Sequence, residues 1–275
     1  MTRLISITLI LLLMLTMIGC KAGAADIAPS ITSAAAATVE NTVATKPPVV
    51  ETVPPTTLPP ETTMATEPEH SEFYIPDVSV DEVILYFKEV CLQAEFVNSG
   101  DPTRLQKWLF PIYYSVNGVY TDEDYQTIQD FTGLLNSIYG FPGIYETTDF
   151  REANLDIYFC YEGELISRLG ENFWGMDGGV TFWYNNDVIH TAVICCRADI
   201  DQKLRNSVIL EEIYNGLGPI QDTVFREDSI IWAEFSQPQN ITAMDLLILR
   251  LLYHPLMQPG MDAQDCETVI RTLYY

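Results

Sequence analysis

Basic residues are scarce: the chain of 275 residues carries 14 Lys and Arg against 38 Asp and Glu, a formal net charge of −24. Nucleic-acid binding needs clustered cations to neutralise phosphates, so this balance argues against it. It argues equally against docking on anionic lipid. Histidine is rarer still. His70, His190 and His254 are widely separated and have no metal-ligand spacing, and His190 and His254 read as hydrogen-bonded structural residues. The cysteines form no CxxC or CxxH pair, which argues against a cysteine zinc site. Phosphate-loop, dinucleotide and GxSxG signatures are missing as well. After the first twenty residues, no apolar run approaches the roughly 20 residues of a membrane span.

The first twenty residues, MTRLISITLILLLMLTMIGC, have the pattern of an export signal: Arg3 is the positive start, and Leu4 to Met17 is the short apolar run. The closing MIGC resembles a lipobox, although Met17 stands where leucine is usual. The resemblance implies lipidation of Cys20 and a bacterial extracytoplasmic protein held to membrane lipid by its N-terminus. Residues 21–72 hold eight of the sixteen prolines and almost no aromatics. Such a segment cannot bury enough apolar surface to offset its ordering entropy, so a disordered Ala/Thr/Pro-rich stalk is expected. Residues 73–275 carry 31 acidic and 11 basic residues, a net charge of −20, and are long enough for one domain with a sizeable core. Cys91, Cys160, Cys195, Cys196 and Cys266 lie within it, an odd number whose pairing stays open. Cys195 and Cys196 are adjacent in a predicted strand and should face opposite ways.

Local patterns predict the elements. Ser79 and Glu82 have capping-box spacing, and Val83, Ile84, Phe87, Val90 and Cys91 fall on one helical face. KWLFPIYYSVNG, residues 107–118, reads as one strand, placed at a sheet edge by Pro111. A second helix is capped by Thr121 and stopped at Gly140. NLDIYFCY alternates Leu155, Ile157, Phe159 and Tyr161, a half-buried strand. Residues 178–198 read as two strands across an Asn-Asn-Asp turn. Helices follow over 201–217, 242–253 and 262–274. The order implies an α+β fold. ENFWGMDGG, residues 171–179, is an aromatic- and glycine-bearing loop that reads as packed, with lining a cleft as the alternative. Asp199 and Asp201 precede a helix, where Asp201 suits a cap.

LEEIYNGLGPIQD, residues 210–222, carries the densest pattern. At ~100° per residue, Ile209, Ile213, Gly216 and Leu217 make the inward stripe with Val208 beside it. Glu212 falls on this apolar arc, while Glu211 and Asn215 share the neighbouring face. A carboxylate in an apolar arc costs several kcal/mol unless it is paired, hydrogen-bonded or protonated. The stretch resembles HExxHxxGxxH of the metzincin-type zinc proteases, with Gly218 at the glycine, Glu212 at the general base, and Glu211, Asn215 and Gln221 at the three histidine positions. ITAMDLLILRLLY, with Asp245 eight residues before Tyr253, resembles the helix that closes the matrix-type metzincin domain. The same degenerate pattern is similar to that of an uncharacterised family of bacterial secreted lipoproteins. The family's methionine turn would fall near Ser229 to Trp232, where SIIW has no methionine.

The resemblance implies a zincin-like fold, a small mixed sheet with an active-site-type helix and a mostly helical C-terminal part, in a single domain over 73–275. The replaced histidines argue against zinc. Glu211, Asn215 and Gln221, joined by Asp222, would suit a hard cation such as Ca²⁺ better, and no cofactor is expected. The leading expectation is a non-catalytic, lipid-anchored binding or envelope-organising domain whose partner is an envelope protein or a cell-wall polymer. The alternative is a hydrolase acting on peptide or wall polymer through Glu212 with a non-zinc metal or none. A purely structural remnant is a third reading.

Overall fold

The computed structural model describes residues 70–93, 104–234 and 237–274. The expected export signal, Cys20 and nearly all of the expected stalk lie outside them. A 3-10 turn spans His70–Phe73, and the Glu72 carbonyl accepts from Arg250.

Helix α1, Val80–Leu92, begins at the expected capping box, with Ser79 and Glu82 satisfying each other's backbone N–H. Its five anticipated apolar residues are buried, as is Tyr86. Strand β1, Lys107–Trp108, and strand β2, Ile112–Gly118, replace the single strand expected over 107–118. The chain breaks around Pro111, and the two halves pair with different neighbours. β2 is also not an edge strand: it lies between β3, Ile144–Glu146, and β4, Leu155–Cys160. Pro111 sits just ahead of the strand, so its missing N–H removes no ladder bond.

Helix α2, Asp122–Leu135, starts at a Thr121–Asp124 capping box and gives way to turns before Gly140. A short helix α3, Glu162–Leu169, follows β4. Strands β5, Gly178–Asn185, and β6, Val188–Arg197, form the expected antiparallel hairpin, with Asn186 and Asp187 at φ 49° and 62° in the turn. Helices α4, Gln202–Gly216, α5, Ala243–Tyr253, and α6, Ala263–Leu273, are capped by Asp201, Thr242 and Asp262.

The sheet runs β1-β6-β4-β2-β3, with β5 on the far side of β6. Every pairing is parallel except β5–β6. Helices and a largely parallel mixed sheet agree with the α+β expectation. Helices α2 and α4 cover one face, where Ile128, Phe131, Ile209 and Ile213 meet Ile157, Phe159, Ile194 and Cys196. Each such side chain contributes about 1.5–3 kcal/mol on burial. Helix α3 covers one end of the other face, over Cys160 and Cys195. Cys195 and Cys196 thus do face opposite ways, and all five cysteines of the domain are buried free thiols.

Candidate functional site

Helix α4 is buried along most of its length. Val208, Ile209, Ile213, Gly216 and Leu217 all face the core, as their spacing requires. Glu212 goes with them and is 7% exposed, while Glu211 and Asn215 on the neighbouring face are half-buried. The Glu212 carboxylate lies over the start of β5. A methyl group on Gly178 would come within 2.8 Å of Glu212 Oε1 and 2.4 Å of Val208 Cγ1. Only a residue without Cβ lets the helix and its acid settle this close to the strand. Gly178 pairs with Cys196, whose thiol is pushed well up, first by burial and then by the negative field of Glu212.

Asn215 and Gln221 are turned toward Asp222. Asn215 Nδ2 donates to Asp222 Oδ1 at 3.3 Å, and Gln221 Nε2 donates to the Asp222 carbonyl at 3.3 Å. Among the described residues, no group donates to the buried Asn215 Oδ1. An unsatisfied buried acceptor costs about 1–3 kcal/mol. As a zinc set this does not fit: a carboxylate and two amides whose NH₂ groups face Asp222 provide none of the imidazole or thiolate donors zinc prefers.

The turn after α4 is fixed from three sides. Gly218 has φ +131°, and a Cβ there would sit 2.6 Å from the Gln106 carbonyl and 3.0 Å from Leu252 Cδ2. Tyr253 donates its phenol to the Leu217 carbonyl at 2.7 Å, and Trp108 donates its indole N–H to the Gly216 carbonyl at 3.0 Å. The Ile220 N–H reaches the Val90 carbonyl of α1 at 2.7 Å. The glycine and tyrosine marked in the sequence therefore meet at one junction.

Asp245 is fully buried and organises a second junction. Its carboxylate accepts from Tyr86 at 2.7 Å, Ser229 at 2.8 Å, Thr242 at 2.8 Å and the Ile230 N–H at 3.1 Å. The Tyr214 phenol donates to the Asp245 carbonyl at 3.0 Å. Burial, and then the neighbouring carboxylate, push the Tyr86 phenol far above its ordinary value. Asp245 thus holds the 229–232 segment, which also bridges Thr223 to Trp232.

The other candidates are placed apart. His190 is exposed beside Thr191, and buried His254 accepts from the Leu256 N–H at 3.2 Å between the rings of Phe73 and Tyr139. Asp199 pairs with Arg197, and Asp201 caps α4. In the 171–179 loop, Phe173 packs against Gly179 while Trp174 is exposed. Sequence reasoning passed over Tyr86 and Gly178. Tyr86 is three residues from Val83 and four from Val90, so the helical stripe already contained it, and a Gly-Gly pair opening a strand is a mark of close approach.

A family model described as Protein of unknown function (DUF2927) matches residues 81–272. No match is found among curated proteins.

Proposed function

From the premise that the chain belongs to that DUF2927 family, we propose that residues 73–275 are a degenerate zincin-like domain that acts by binding rather than by hydrolysis. In this reading the domain is carried outside the cytoplasm on a lipidated Cys20, and its partner is an envelope protein or a wall polymer. One observation carries it: Asn215 and Gln221, at two of the three ligand positions, turn their amides to Asp222. Two further observations support the zincin-like frame. Gly218 follows the glutamate helix in a conformation that requires glycine. The closing helix α5 also grips, through Asp245, the segment at which the family's turn is expected.

A second reading, a hydrolase, is favoured by the burial of Glu212 and by the undonated Asn215 Oδ1 one turn along the same helix. A Glu212→Gln variant separates the two. Binding predicts an altered unfolding midpoint and no hydrolysis of casein or peptidoglycan by either protein. Hydrolysis by the parent chain that disappears in a folded Glu212→Gln protein would sink the binding reading. Anchoring is tested by Cys20→Ala, which should move the protein from the membrane fraction to the soluble one.

A further inference from the structure

Among the described residues, the sheet face opposite α2 and α4 is covered only in part. Helix α3 and Phe173 close it over Cys160, Cys195 and Gly179. Beyond that end, the cross-strand register lines up Ser115, Asp156, Val193 and Thr181 in one row over β2, β4, β6 and β5. On the same face, Tyr113 pairs with Tyr145 at the β3 side and Trp183 pairs with Thr191 at the β5 side. Tyr113 is 37% exposed and Trp183 48%. From β3 to β5 is four strand spacings, about 19 Å.

The groups between these rings are short and held in place. Asn117 Nδ2 donates to Ser115 Oγ at 2.8 Å, and Ser115 Oγ donates to Asp156 Oδ1 at 2.6 Å. This chain fixes a carboxylate, a hydroxyl and an amide across the middle of the face. The cations at its border are already engaged. Arg168 lies 3.6 Å over the Tyr158 ring and bonds Glu164, and Arg197 bonds Asp199.

From this arrangement we infer that the open sheet face binds an uncharged glycan chain. Partly exposed aromatic rings at the two ends suit the apolar faces of sugar rings, and the half-buried Asp156 carboxylate and Asn117 amide between them, positioned by the buried Ser115 hydroxyl, suit sugar hydroxyls. A polyanion is disfavoured by Asp156 and by the domain's net charge of −20. An extended peptide that adds a strand would take the free edge of β3 or β5 and leave the middle of this face, over the interior strands β2, β4 and β6, unused. The inference concerns a different face from the Glu212 helix, so its failure leaves the reading of that helix unchanged.

The test is retention of the full chain on two insoluble neutral polymers, chitin and cellulose, beside heparin-agarose and a poly-lysine resin. Retention on chitin or cellulose is expected, with release by soluble oligomers of the same sugar. Asp156→Asn and Trp183→Ala should each weaken that binding at least about tenfold, roughly 1.4 kcal/mol, with the unfolding midpoint kept. Trp183 is half exposed, so its truncation leaves the core intact. No retention on either neutral polymer, retention only on heparin or poly-lysine, or undiminished binding by both variants would overturn the inference.

Discussion

The phenol of Tyr86, on the first helix of the domain, donates a 2.7 Å hydrogen bond to the carboxylate of Asp245, 159 residues later on the fifth. Ser229 bonds both groups, so three distant parts of the chain meet around one fully buried acid. Such an acid is tolerated because its donors are all in place, and it becomes costly once the set is broken. Asp245→Ala leaves Tyr86, Ser229, Thr242 and the Ile230 N–H without their acceptor, and should cost about 3–5 kcal/mol in urea unfolding. A loss below about 1 kcal/mol would mean that water replaces the carboxylate.

The turn after α4 makes a second prediction. Gly218→Ala must adopt a strained φ of +131° and place a methyl 2.6 Å from the Gln106 carbonyl. A loss of roughly 2–4 kcal/mol is expected from strain and overlap together. Gly178→Ala meets side-chain atoms of Val208 and Glu212 instead of backbone. It should cost less, about 1–3 kcal/mol, because side chains can move. Equal losses for the two variants would contradict the distinction.

Lys107 gives a pH prediction. It is buried, donates to the carbonyls of Leu252 and Met257, and lies 5.6 Å from the Tyr253 ring centre. Burial nevertheless lowers its pKa from 10.5 to about 8. Folding therefore disfavours the charged amine, and this penalty is fully present below pH 8. It is relieved as pH rises from about 8 toward 10.5, where the unfolded amine also loses its proton. Buried thiols and phenols titrate in the same range with the opposite sign, so the comparison must be with Lys107→Met. Across that window the parent should gain up to about 3 kcal/mol relative to the variant. Parallel stability curves would refute it.

Local signals were well written in the sequence. Ser79, Thr121 and Asp201 each cap the helix expected of them, and Thr242 and Asp262, where the last two helices were expected to begin, are the caps of those helices. Caps act within one turn, so they survive tertiary context. The wheel that put Glu212 on an apolar arc placed it correctly for the same reason. What failed was longer in range or weaker in pattern. Ile112–Gly118 looked like an edge strand because Pro111 was counted inside it. Strand β3 is only three residues long, and α3 is eight residues with Gly163 inside it, so neither has a readable period. Asp245 stood out by its spacing from Tyr253, yet nothing local linked it to Tyr86 or Ser229.

The central claim is that the glutamate helix persists without the zinc chemistry of the family it resembles. Metal analysis of the purified full chain, prepared without chelator and then exposed to zinc and dialysed, tests it most directly. Substoichiometric zinc, unchanged by Glu212→Gln or Asn215→Ala, is the expected result. One zinc per chain, lost on Glu211→Ala or Asn215→Ala, would contradict the account and return the helix to metal-dependent catalysis.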